Sequence, residues 1–213
     1  MTPRPQRIID TTGATDAASL AIAALEDGEP IIIPTDTVYG LAARADDHVA
    51  KRKIFSLKGR PDSQTLAILV ADVAQAATLV QVSADFERLA KAFWPGGLTI
   101  VAPPAPGVPP SLGAEDGWIG VRAPQQSWVR KLADSVGPLA ATSANLHGRP
   151  TPESIAEIHE AFPATLLFDG GPGGTVASTI VRLETTGHTP IVVLREGAIS
   201  STELLAVLGP ENS

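Results

Sequence analysis

Two arginines in this sequence each follow directly on an apolar run: Arg122 closes "IGVR" and Arg195 closes "IVVLR". A guanidinium at the end of a buried strand needs an anion, from the protein or from a ligand. Two further cations, Lys58 and Arg60, stand together in "KGRP" at a predicted helix end. Around them, apolar runs lead into small polar side chains. "IIIP" leads into Thr35, Asp36 and Thr37, "PLAA" leads into Thr142, Ser143, Ala144 and Asn145, and Ser178 with Thr179 opens another strand. Taken singly, Thr-Asp-Thr and Ser-Ala-Asn read more readily as turn residues bonding their own backbone. Lys58 and Arg60 taken singly read as a solvated helix end opposing the dipole. Together, four cations and many hydroxyl or amide groups describe a pocket for phosphates and a carboxylate.

Other chemistries lack their residues. There is no G-x-x-x-x-G-K-[ST] loop, and the glycines at 170 to 174 precede a strand rather than a helix, which excludes a P-loop and a dinucleotide fingerprint. The histidines at 48, 147, 159 and 188 show no ligand spacing, and no G-x-S-x-G surrounds Ser143. His147, close to the candidate site, reads as a bystander. With no cysteine, disulfides and thiolate-metal sites are impossible, and a reducing compartment is compatible. No apolar run approaches the roughly 20 residues of a membrane span, so a soluble, cytoplasmic protein without membrane contact is expected. A net charge of −7, from 16 Lys+Arg against 23 Asp+Glu, argues against broad binding of nucleic acid but leaves room for a local basic hollow.

The elements that must position these residues follow from periodicity. Helices are predicted over 15–27, 46–59 (opened by Asp46 or Asp47), 72–80, 83–93, 126–136, 152–162 (with Pro152 in its first turn) and near 200–208. Strands are predicted in "PIIIP", over 65–71, 98–102, 118–124 and 138–142, and in "TLLFD", "STIVRL" and "IVVLR". Glycine and proline, 19 each, gather in loops such as 102–113 and 169–175. Interleaved strands and helices, several strands apolar throughout, predict a mixed α/β (α+β) fold, a sheet with helices on both faces, and the consecutive late strands suggest antiparallel pairing. At 213 residues and 44% hydrophobic, one domain is expected over 1–213, its core from about 15 to 200 with short tails.

The ordered motifs "PTDTVYGL", "KGRP", "WPGGLTIV", "VRAP", "ATSANLHG", "DGG", "STIV" and "LREG" resemble the YrdC-like family of threonylcarbamoyl-AMP synthases over nearly the whole chain. Longer members carry an additional carboxyl-terminal domain, and these residues are expected to hold the YrdC-like domain alone. The resemblance implies a twisted mixed parallel and antiparallel sheet around a large concave pocket. It implies a nucleotidyltransferase that makes threonylcarbamoyl-adenylate and pyrophosphate from L-threonine, bicarbonate and ATP. Magnesium would arrive with ATP rather than in a protein cage. Downstream threonylcarbamoyl-transfer proteins would place the group on the adenosine beside the anticodon of certain transfer RNAs, leaving at most weak transfer RNA contact here.

By motif match, Lys58 and Arg60 would contact the ATP phosphates as catalytic groups, and Arg195 would take the same anion from another side. Arg122 would bind the threonine carboxylate. Thr35, Thr142, Ser143 and Ser178 would fix threonine's hydroxyl and amino groups, Asn145 would face the nucleotide, and Asp62 would touch the nucleotide or pair with Arg60. Many relatives continue "KGRP" with three residues and then Pro-Leu, whereas Thr65-Leu66 stands here, so contacts of residues 62 to 67 carry over least well. Two other readings are an RNA-binding module with a basic concavity, disfavoured by 4% aromatics, and a paralogue using another acid.

Overall fold

The computed structural model describes residues 8–11, 16–59, 65–109, 112, 117–184 and 191–209. Arg60 and Asp62 lie outside the described residues, as do positions 110, 111 and 113 of the proline-rich loop. In chain order the elements are β1 (Ile8–Asp10), α1 (Ala17–Glu26), β2 (Ile31–Ile33), β3 (Gly40–Arg44), α2 (His48–Lys58), β4 (Ala67–Leu69), α3 (Val73–Ala77) and α4 (Ala84–Phe93). Then come β5 (Leu98–Ala102), β6 (Ile119–Arg122), α5 (Ser127–Val136), β7 (Leu139–Ser143), α6 (Ile155–Ala161), β8 (Leu166–Asp169), β9 (Thr179–Leu183), β10 (Ile191–Arg195) and α7 (Ser201–Leu208).

The strands form one mixed sheet in the order β1-β8-β2-β3-β7-β4-β6-β5-β9-β10. Alternation along the strands divides the apolar side chains between two layers. Ile31, Ile33, Ala42, Leu69, Leu139 and Phe168 face α1 and α5. Ile32, Leu41, Ile68, Ile100, Val121 and Val181 face the other way, into a core shared with α2, α4, α6 and α7. Both faces are therefore covered, as the apolar runs required. Residues such as Ile32 and Leu41, with no exposed surface, each stabilise the fold by about 1.5–3 kcal/mol through burial.

The antiparallel pairing expected among the late strands is found between β9 and β10, while β8 pairs in parallel with β1 and β2, and β9 in parallel with β5. Three expectations are corrected. β3 is a strand that polar and small residues concealed: "GLAAR" pairs antiparallel with β2 and with β7, so "TDTVY" forms the turn of a hairpin. β10 is an edge strand whose Val192, Leu194 and Arg195 are exposed, so Arg195 does not close a buried run. Pro152 lies two residues before the helix cap, because Ser154 caps α6 by accepting the Glu157 N–H.

Candidate active site

Strand direction gives the site its geometry. β2 and β7 run parallel to each other, and β6 and β10 run opposite to both. The carboxyl-end rule alone would put Arg122 and Arg195 at the opposite edge of the sheet from the Thr35 turn. The turn nevertheless reaches Arg122: the Arg122 Nη1 donates to Thr37 Oγ1 at 2.7 Å. The twist natural to a long sheet, together with the extended β2–β3 connection, lets the two oppositely running halves meet.

Arg122 is only 5% exposed. Its Nε donates to Gly96 O at 2.9 Å, and its Nη2 stands 2.8 Å from Asp36 Oδ1. That last approach is a buried ion pair, in which the carboxylate is the partner of Nη2. Burial pulls the Arg122 pKa down, the Asp36 carboxylate pulls it back up, and the charge of Arg195 lowers it again. Asp36 is the protein anion that this guanidinium requires, and it also accepts the Gln125 N–H at 2.8 Å.

Lys58 closes α2 at its carboxyl end, where a cation complements the helix dipole, and Gly59 caps the helix in the left-handed region at φ 62°. The Lys58 ammonium, though buried, donates to Ser143 O, to Asn145 O at 2.6 Å and to Asn145 Oδ1 at 3.2 Å. The Ser143 hydroxyl donates to the same Asn145 Oδ1, and the Asn145 amide donates to Leu146 O and Arg149 O. Asn145 thus organises the loop after β7 and holds Lys58 in it. Thr142 sits half-buried in β7 opposite Leu41. His147 is exposed, its backbone N–H donating to Lys58 O.

Arg195 folds back onto Ser178, donating from Nε and Nη2 to Ser178 O at 3.1 and 2.9 Å and from Nη2 to Ser178 Oγ at 3.2 Å. Partial burial of its guanidinium lowers the Arg195 pKa, although the residue as a whole is exposed. Ser178 is buried and bonds Thr99 Oγ1 at 3.0 Å. Behind it, the Thr179 hydroxyl accepts the N–H of Gly197 and of Ile199, which fixes the loop after β10. Gly197 answers to close approach, since a Cβ there would overlap Ala177 O.

The structure brings predicted residues together in two clusters, Lys58 with Ser143 and Asn145, and Arg195 with Ser178 in the field of Arg122. The Thr35 hydroxyl donates to Val38 O at 2.7 Å and accepts the Thr37 N–H, as a turn residue does. Thr37 is the hydroxyl that meets Arg122, and Asp36 and Gly96 complete the set. Sequence reasoning named Asp36 and Thr37 only as polar residues after "IIIP", without a part beside Arg122, and did not name Gly96. The signal available was that an arginine fork needs several acceptors, and the "TDT" and "WPGG" motifs hold them. Tyr39 behaves as its type suggests, burying its ring while its hydroxyl bonds Gly171 O at 2.6 Å. Burial, first, and the nearby Asp169 charge push its pKa up to about 12. No three His, Asp or Glu side chains among the described residues are grouped to hold a metal ion, and no helix among them is long and apolar enough to cross a membrane.

A ten-stranded mixed sheet with helices on both faces defines an α/β protein. Residues 23–197 match the Sua5, YciO and YrdC family model, described as telomere recombination. A threonylcarbamoyl-AMP synthase of Pyrococcus abyssi is 36% identical over 195 residues, covering 89% of this chain and 56% of the relative. A putative threonylcarbamoyl-AMP synthase of Mycobacterium tuberculosis is 37% identical over 193 residues, covering 89% of this chain and 88% of the relative. The crystal structure of P. abyssi Sua5 complexed with L-threonine superposes with a TM-score of 0.85 at 35% identity, covering 94% of this chain and 60% of that one. The chain spans little more than half the length of the archaeal relative. It belongs to the Sua5/YciO/YrdC family.

Proposed function

We propose that the chain is an L-threonylcarbamoyladenylate synthase, a nucleotidyltransferase joining L-threonine, bicarbonate and ATP. The observation that carries the reading is Arg122, a buried guanidinium held by Gly96 O, Thr37 Oγ1 and Asp36 and within the field of Arg195. An anion between two arginines relieves their repulsion. The complex of an archaeal relative with L-threonine supports an amino-acid carboxylate as that anion.

In the proposed reaction threonine's amine condenses with bicarbonate to a carbamate, with loss of water. The carbamate oxygen attacks the α-phosphorus as the bond to pyrophosphate breaks. Charge builds on the phosphoryl oxygens, so positioning and neutralisation supply the rate. Arg122 holds the threonine carboxylate. Lys58 and Arg195, with Arg60 by motif match, neutralise the phosphates, and magnesium enters as part of the nucleotide substrate. Lys58 accommodates a phosphate by exchanging Asn145 Oδ1, the longest of its three bonds. Thr142, Ser143 and Ser178 line threonine's side, and Asn145 and Asp62 border the nucleotide. Downstream transfer proteins take the product to transfer RNA, in the cytoplasm.

Pyrophosphate release tests the reading. It should require ATP, magnesium, threonine and bicarbonate together, and release that ignores threonine would refute it. Tight, salt-sensitive transfer RNA binding without ATP turnover would favour an RNA-binding module instead.

A further inference from the structure

Arg122 is held by residues of the β2–β3 turn, so whatever fixes that turn fixes Arg122. Tyr39 ends the turn, and its hydroxyl is a junction. It donates to Gly171 O at 2.6 Å, accepts the Gly170 N–H at 3.2 Å and lies 3.2 Å from Asp169 Oδ1. Asp169 Oδ1 in turn accepts the Gly171 N–H at 2.9 Å. The 170–174 loop lies directly on the turn: a Cβ on Gly173 would stand 2.9 Å from the Tyr39 ring, and one on Gly174 would overlap the Thr37 carbonyl. Together with Tyr39, the loop borders a cavity of about 340 Å³ that Ser154, Ile155 and Ile158 also line. At the other end, Tyr39 O accepts the Ala144 N–H at 2.7 Å, which ties the same residue to the loop after β7.

We propose that Tyr39 is a positioning residue that clamps the 170–174 loop onto the β2–β3 turn and so keeps Thr37 and Asp36 on the Arg122 guanidinium. It acts through these two residues and touches no substrate. The consequence for threonine rests on the functional reading above, whereas the consequence for Arg122 does not. The glycines follow from the same device, since only a residue without Cβ lets the loop lie against turn carbonyls.

Tyr39→Phe keeps the ring and removes the hydroxyl, leaving the Gly170 N–H and Gly171 O without their partner. Two measurements on the whole chain test the proposal. In ¹⁵N-labelled protein, hydrogen exchange at the Arg122 Nη–H groups, which meet Thr37 and Asp36, and at the amides of Asp36 to Tyr39 should accelerate about tenfold relative to amides in α4 and α5. In pyrophosphate release, KM for threonine should rise about tenfold while KM for ATP changes less than about twofold. Gly174→Ala, which lifts the loop from the opposite side, should reproduce both effects. Wild-type exchange at Arg122 in both variants overturns the clamp. So does a uniform rise in exchange across α4, α5 and the turn, which would make Tyr39 an ordinary core residue. Selective loosening of Arg122 in a protein whose wild type releases no threonine-dependent pyrophosphate supports the clamp and refutes the functional reading instead.

Discussion

Arg122 and Arg195 looked alike in sequence, each a cation behind an apolar run, and they differ in the fold. Arg122 is 5% exposed and meets a carbonyl, a hydroxyl and a carboxylate on separate nitrogens. Arg195 stands on an exposed edge strand and leans on Ser178. The need of Arg122 for an anion was legible from burial physics, but its identity as Asp36 was not, because the pair is 86 residues apart in sequence. A lysine at 122 would keep the charge and lose the planar fork that serves three partners at once. Arg122→Lys should raise KM for threonine by about 10- to 100-fold, the loss of one or two charge-assisted hydrogen bonds, with KM for ATP nearly unchanged. Steady-state kinetics with each substrate varied separately checks this. A parallel rise in both constants would mean that Arg122 does not belong to the threonine side.

Elements with clear periodicity and caps were read from the sequence to within a few residues, and α2 illustrates why. Asp46 and Asp47 were equal candidates for its cap. The structure assigns Asp47, whose carboxylate accepts the Val49 and Ala50 N–H groups at 2.8 and 2.9 Å, while Asp46 pairs with Arg44. β1 and β3 were not read, since three residues carry no period and "GLAAR" is too poor in β-branched side chains to signal a strand. α2 presents Lys58 to the site from its carboxyl end, where the ammonium is held by three acceptors and the helix by the Gly59 cap. Loss of the amino-terminal cap should therefore weaken the fold without moving Lys58. Asp47→Ala is expected to cost about 1 kcal/mol, a fall in Tm of about 2–4 °C for a chain of this size, with both KM values unchanged. Thermal unfolding and kinetics on the same preparation measure the two halves of that statement. A large change in KM for ATP would show that the cap also governs the placement of Lys58.

Across the whole molecule, the missed strand had the largest consequence. Without β3, the carboxyl-end rule appeared to collect Thr35, Arg122, Ser143 and Arg195 at one sheet edge, whereas β6 and β10 run against β2 and β7. Thr37 and Asp36 meet Arg122 because the β2–β3 turn spans from one half of the sheet to the other, a contact between distant strands that local patterns do not encode. The same convergence sets the molecule's electrostatics. A chain of net charge −7 places Arg122 and Arg195 within each other's field, with Asp36 paired against Arg122. Salt separates the two fields. At about 0.1 M the Debye length is roughly 10 Å, so acidic groups spread over the surface are already screened from the site while cations beside a bound phosphate are not. Raising ionic strength from about 0.1 to about 0.5 M should therefore weaken the remaining attraction and raise KM for ATP by about threefold. Threonine enters as a zwitterion without net charge, so its KM should hold within about twofold over the same range. Initial rates at fixed pH with the chloride salt varied distinguish the cases. A KM for ATP that falls as salt is added would mean that the acidic surface, rather than the site's cations, governs the approach of the nucleotide.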